Sequence, residues 1–319
     1  MVPPVPAAPL VSSSISHRSG DPRKRLPAPT RLELLPADVR VVRDYGPQPQ
    51  PEHLRDARRG EVQMFSAKSA SRLTRMARNA SPALVSQFCL TYHQAAPDGA
   101  TAKKHLDAWL KAVRRAAPGA GYLWILEFQT RGVPHFHVWL TVPFSEALWK
   151  RLGAAWNRIA EPDSLQHLWW HTEERLEART GKVQRSMLDW DMKGAGYLRK
   201  YMSKEAQKCV PDGFGWVGRF WGASRGLVPD PVTIEAEDLT APIEDLTRTV
   251  SKWVEARRRR GAAVARKIAE DRGREYQPVK LRPTARASRT SGWLNNATPA
   301  LLQLLDRLEP LVPGEDVAD

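Results

Sequence analysis

Gly121-Tyr-Leu-Trp-Ile-Leu-Glu127-Phe-Gln129-Thr-Arg-Gly-Val-Pro134-His135-Phe-His137-Val-Trp-Leu-Thr-Val142 decides the fold. Two apolar, aromatic-rich runs flank a short loop, so strands are expected over Gly121–Gln129 and His135–Val142 in a hairpin. Residues i and i+2 of a strand share a face, so His135 and His137 project together while Phe136 and Val138 go to the other side. A five-residue loop, 130–134, predicts pairs 129:135 and 127:137, which bring Glu127 and Gln129 to the histidine face. A slip of one residue would send Glu127 away. An isolated His-x-His is commonly an ordinary strand pair, and the in-phase glutamate is what points to a metal. Two imidazoles and a carboxylate with open positions suit Mg²⁺ or Mn²⁺ held with waters, and Zn²⁺ less comfortably. Gln129 either ligates the ion or supports a ligand from behind.

Downstream, Tyr197-Leu-Arg-Lys200-Tyr201-Met-Ser-Lys204 reads as part of a helix over Gly196–Cys209. Residues four apart share a helix face, so Tyr197 and Tyr201 present two hydroxyls, with Lys200 and Lys204 each three positions after a tyrosine. A phenol with a pKa near 10 is a poor nucleophile unless cations lower that value or a metal polarises its target. Tyrosines at this spacing are usually core. Their occurrence beside the histidine hairpin favours phosphotyrosine chemistry on a nucleic-acid backbone.

Composition agrees with such a partner. Net charge is +14 and the pI is about 10.1, which favours a polyanion. Ser251–Arg289 carries 13 Lys/Arg against 4 Asp/Glu, a balance of +9, and residues 1–60 add 10 minus 6, or +4. Arg257, Arg258, Arg259, Arg260, Arg266 and Lys267 form a basic helical surface that hardly mixes signs, as phosphate contact requires. Cys89 and Cys209 stand far apart and indicate neither a disulfide framework nor a cysteine zinc site. No apolar run reaches the roughly 18–20 residues needed to span a bilayer, and no signal pattern opens the chain, so a cytoplasmic protein is expected.

Three regions are expected: a Pro/Arg-rich, mostly disordered segment over 1–60, a catalytic domain over 61–235, and a basic helical extension over 236–319. Within the second, Ser66–Asn79 reads as a helix, Ala83–Tyr92 as a strand, and Thr101–Ala116 and Ser145–Glu161 as amphipathic helices. A short helix and a Val183–Met192 strand follow. Ten of the 12 tryptophans fall between Trp109 and Trp221, which places the main core there. Helices are expected from Leu246 to Arg274 and over Pro299–Leu308. His167 and His171, one turn apart around two tryptophans, lack the glutamate of a metalloprotease helix and read as packing residues rather than ligands. Asp189 and Asp191 read as exposed-face charges, and Trp216, Phe220 and Trp221 either stack on bases or fill the core.

The order Phe88-Cys-Leu-Thr-Tyr92, Glu127…Pro134-His135-Phe-His137, Tyr197-x-x-Lys-Tyr201-x-x-Lys resembles the HUH superfamily of nickases, above all the rolling-circle replication initiators of small single-stranded DNA phages and plasmids. Gly218-Arg-Phe-Trp-Gly222 is similar to that group as well, and the resemblance covers roughly residues 65–225. It implies an α+β fold, an antiparallel central sheet with the histidine strand in the middle and helices packed on it. It implies a divalent metal on His135, His137 and Glu127, attack by Tyr197 or Tyr201 on an origin phosphodiester, and a 5′-phosphotyrosine link that frees a 3′ hydroxyl to prime synthesis. Lys200 and Lys204 match lysines that position the tyrosines or the phosphate. The implied partners are single-stranded or supercoiled origin DNA and the host replication machinery. A host helicase is among them, since Gly181-Lys182-Val183 lacks both ends of a P-loop. The alternatives are a two-tyrosine rolling-circle transposase, which often brings a Cys-rich zinc module that is not seen before Cys89, and a non-catalytic DNA-binding protein that keeps the fold.

Overall fold

The computed structural model describes residues 29–44, 62, 64–94, 97–177, 180–189, 209–211, 214–215, 217–273, 275–276 and 292–308. The hairpin forms, as β4 (Tyr122–Phe128) and β5 (Pro134–Leu140). Its register is displaced by two residues from the expected pairs: Glu127 lies opposite His135 and Ile125 opposite His137. The loop is tighter than the five residues expected. Gln129 N–H donates to Val133 O at 2.9 Å and Gly132 N–H to Gln129 O at 2.8 Å, which leaves three residues, 130–132, to turn the chain. Gly132 sits at φ 78°, the left-handed position that such a loop needs and that a Cβ would penalise. Because the displacement is an even number, every side chain keeps its expected face.

β3 (Ser86–Thr91) and β4 flank β5, and the five-stranded antiparallel order is β8-β3-β5-β4-β9, with β8 Met187–Asp189 and β9 Trp221–Ala223. The histidine strand is therefore central. One face presents Phe88, Leu90, Phe136 and Val138, all fully buried, to a single core shared with helices α1 (Ala67–Arg78), α2 (Gly99–Ala116) and α3 (Glu146–Ala160), and α4 (Leu165–Thr172) packs on α3. Trp109 of α2 packs on Phe88 with ring centroids 5.0 Å apart, and Lys103 Nζ lies 4.0 Å from the centroid of Trp124. Ser66, Asp98, Ser145 and Ser164 cap the four helices, each side chain accepting a main-chain N–H three residues on. The expected Val183–Met192 strand is broken. Val183–Gln184 (β7) pairs with Arg175–Leu176 (β6), while β8 pairs with β3, so two different partners divide it.

Gly153 marks the closest helix contact. A Cβ there would lie 2.3 Å from the carbonyl oxygen of His171, so α4 crosses α3 at a distance only glycine permits. Gly153→Ala gains about 1 kcal/mol of helix propensity but must push α4 aside, at a cost of about 1–3 kcal/mol. Overlap with a main-chain atom favours the upper end of that cost. A net loss near 2 kcal/mol is expected, read as a fall in the urea midpoint; a stabilised variant would show that the contact relaxes freely.

The expectation of a mostly disordered segment over 1–60 is corrected at residues 29–44, and the rest of that segment lies outside the described residues. Residues 29–44 hold two strands, β1 (Pro29–Leu34) and β2 (Val39–Arg43). They form a second antiparallel sheet, β10-β1-β2-β11, with Val232–Glu235 (β10) and Trp293–Leu294 (β11). Leu32, Leu34, Val39 and Val41 pack against Ile243, Leu246, Val250 and Val254 of α5 (Ile243–Asp271) and Leu301 of α6 (Thr298–Leu308). Neither end of the chain has enough apolar surface alone, and together they build a second core. α5 is buried only along its first half; Arg257, Arg259, Arg260, Arg266 and Lys267 all lie exposed on its second half. Among the described residues no helix is long and apolar enough to cross a membrane.

Candidate metal centre

Strand alternation puts Gln87, Cys89 and Thr91 of β3, Glu127 of β4, and His135 and His137 of β5 on one face of the sheet. His135 and His137 stand edge to face with ring centroids 4.5 Å apart. His137 Nε2 lies 3.4 Å from Glu127 Oε2, and both side chains are buried. Its other nitrogen, Nδ1, lies 2.8 Å from Gln87 Nε2 and 3.3 Å from Cys89 Sγ. Cys89, His135 and His137 each offer a ligand atom within 4.8 Å of the other two, so the cluster can hold a metal ion. Burial, and after it the Glu127 charge, pushes the Cys89 thiol up to about 12.

The donor set fits a divalent ion: two imidazoles, one carboxylate and a nearby sulfur on rigid neighbouring strands. Gln87 stands where a group must stand to fix the His137 tautomer. Turning its amide over would present an oxygen to Nδ1–H and leave Nε2 for the ion. Cys89 and Gln87 are functional candidates that sequence reasoning did not select. Both are visible only once β3 is known to pair with β5, which places Cys89 opposite His137.

Gln129 reaches the same rim with its amide engaged at both ends. Nε2 donates to Thr91 Oγ1 at 3.0 Å, and Oε1 accepts from Arg131 Nε at 3.0 Å. Arg131 is tied further to the carbonyls of Tyr92 and His93. A cleft of about 450 Å³ opens here, lined by Cys89, His135, Gln129 and three cations, Arg131, Arg175 and Arg185. Arg175 lies over the Trp170 ring at 3.6 Å, which holds its charge beside the opening. None of these arginines was singled out from the sequence; they converge from a hairpin loop and from the β6–β7 region.

Tyr197, Lys200, Tyr201 and Lys204 lie outside the described residues, as do Asp191 and Trp216. Cys209, expected to end their helix, forms an isolated antiparallel bridge with Met64. Tyr92 is unsuited to be the nucleophile: it is 1% exposed, its hydroxyl lies 3.1 Å from His105 Nδ1, and burial pushes its phenol further from ionising. Phe220 is buried and Trp221 half-buried in the main core. The basic residues of α5 belong to the other core. Arg257, Arg258 and Arg260 line a second cleft, of about 990 Å³, with Trp253 and with Arg307 of α6.

Residues 85–206 match the family model of a replication-associated protein, the ORF2 and gene-2-protein family. No curated protein and no solved structure matches the chain. The matched span contains β3, β4 and β5, and with them every member of the cluster. It supports a role in replication.

Proposed function

We propose that the chain is a metal-dependent strand transferase that nicks a replication origin through a tyrosine and so starts rolling-circle replication. One observation carries the reading. His135 and His137 of the central strand meet Cys89 in one cluster, with Glu127 3.4 Å from His137 and an arginine-lined cleft beside His135, inside the span that matches a replication-associated family. A divalent ion there, Mg²⁺ or Mn²⁺, would supply Lewis acidity to a non-bridging phosphate oxygen. Arg131, Arg175 and Arg185 hold the strand by its phosphates and place one of them over the cluster.

The phenolic oxygen of Tyr197 or Tyr201 then forms a bond to phosphorus. The bond from phosphorus to the 3′ oxygen breaks, that oxygen takes a proton, and the 5′ end stays on the protein. Lys200 and Lys204 favour the ionised phenol. An aryl phosphodiester keeps the energy of the cleaved bond, so a hydroxyl can reseal it. The basic half of α5 adds phosphate contacts away from the reaction, through Arg257, Arg258, Arg259, Arg260, Arg266 and Lys267.

The test uses supercoiled plasmid carrying the DNA that flanks the chain's own gene. With Mn²⁺ or Mg²⁺, open circles with protein on the 5′ end are expected, and chelator should abolish them. Tyr197→Phe combined with Tyr201→Phe should bind the plasmid and leave it supercoiled. A protein-linked 5′ end surviving in that double variant would place the nucleophile elsewhere. A wild-type chain that binds but never cuts would be a DNA-binding protein without catalysis.

A further inference from the structure

Three more imidazoles meet at the end of β3. His167 and His171 share a face of α4, and His93, just past the strand, comes to lie against both. Ring centroids are 4.6 Å apart for His167 and His171, 5.0 Å for His93 and His167, and 5.8 Å for His93 and His171. Each residue offers a ring nitrogen within 4.8 Å of the other two. His167 and His171 are wholly buried. Both ring nitrogens of His93 are shut away from water with no hydrogen-bond partner among the described residues, and the equally buried ring of His171 meets the Thr91 main chain. A buried polar atom without a partner costs on the order of 1–3 kcal/mol, so the two of His93, beside two more buried imidazoles, require an explanation. Packing alone does not supply it, because phenylalanine would fill the same space without the cost.

Groups of both signs surround the cluster: Arg131 and Arg175 line the same cleft, and acceptors stand beside the rings. His167 Nε2 lies 3.1 Å from the Thr91 carbonyl oxygen, so a main-chain group holds that ring. Its Nδ1 lies 3.3 Å from Asn157 Nδ2, but both hydrogens of that amide go to closer carbonyls, Glu161 O at 2.7 Å and Ser164 O at 3.0 Å. Glu161 supplies negative charge: Oε1 accepts from His93 N–H at 2.6 Å, while the buried Oε2 has no partner.

We infer that His93, His167 and His171 form a second metal site, for a zinc-class transition ion held by neutral nitrogen donors. Imidazoles suit Zn²⁺, Co²⁺ or Ni²⁺, whereas Mg²⁺ keeps oxygen ligands and several waters. The ion ties the end of β3 to α4. His93 and His171 also line the cleft that contains His135.

The test reads metal content rather than cleavage, so it is independent of the tyrosine mechanism. Full-length chain carrying His135→Ala and His137→Ala is stripped of metal, given Zn²⁺ and desalted. One zinc per chain is expected to remain; none remaining overturns the inference. Adding His93→Asn and His171→Asn should remove that zinc, and its retention would place the ion elsewhere. Should a substituted chain fail to fold, wild-type protein titrated with Co²⁺ carries the test: visible bands of a nitrogen-ligated ion are expected to saturate at two equivalents per chain, and saturation at one overturns the assignment.

Discussion

His137→Ala is expected to slow origin nicking by about 10³-fold or more while origin affinity stays within about twofold. Removing one preorganised group that stabilises transition-state charge typically costs about 10²–10³ in rate, and losing a ligand removes the ion as well. Affinity should persist because the proposed contacts to phosphate lie elsewhere, on the arginines of the cleft and on the basic half of α5. Single-turnover cleavage of labelled origin DNA with Mn²⁺, beside fluorescence anisotropy on the same DNA, separates the two quantities. His137 is buried 3.4 Å from Glu127, so the substitution also carries a structural cost, of about 1–3 kcal/mol. The melting temperature must therefore be recorded with each rate. Cleavage and binding falling together, in step with lost stability, would make His137 a packing residue and sink the metal reading.

Asp38→Ala is expected to destabilise the joint between the two cores by about 3–5 kcal/mol, the usual penalty for removing one partner of a buried ion pair. Asp38 is fully buried in the turn between β1 and β2. It accepts from Arg78 Nε at 3.1 Å and Nη2 at 2.7 Å, from Asn79 Nδ2 at 3.0 Å, and from the main-chain N–H of Asn296 at 2.8 Å. One carboxylate thus joins the end of α1, the β1–β2 turn and the segment entering α6. Alanine leaves the guanidinium of Arg78, only 16% exposed, without its anion. Urea unfolding should show the second core melting first, at a lower midpoint, while metal content at the hairpin is unchanged. A loss below about 1 kcal/mol would mean that water replaces the carboxylate and that the ion pair is not what joins the cores.

Local chemistry made much of this legible in advance. The hairpin, the capped amphipathic helices and the in-phase glutamate follow from period-2 and period-3.6 patterns that neighbouring residues carry by themselves. The two-residue error in register came from the turn, where Gly132 shortens the loop; parity absorbed it, so Glu127 stayed beside the histidines. The strands within 1–60 were missed for another reason. β1 and β2 sit among prolines and arginines, and their partners, β10 and β11, lie some two hundred residues or more downstream, as the 258-residue separation of Asp38 and Asn296 illustrates.

By itself, the order of amino acids determined which side chains share a strand face or a helix face, because those periodicities are properties of the backbone. Only tertiary structure decided which faces meet: Cys89 against His137 across β3 and β5, His93 against the α4 histidines, and the chain's two ends in one core. Such meetings depend on pairing energy gathered over long loops, and no short window of residues contains it.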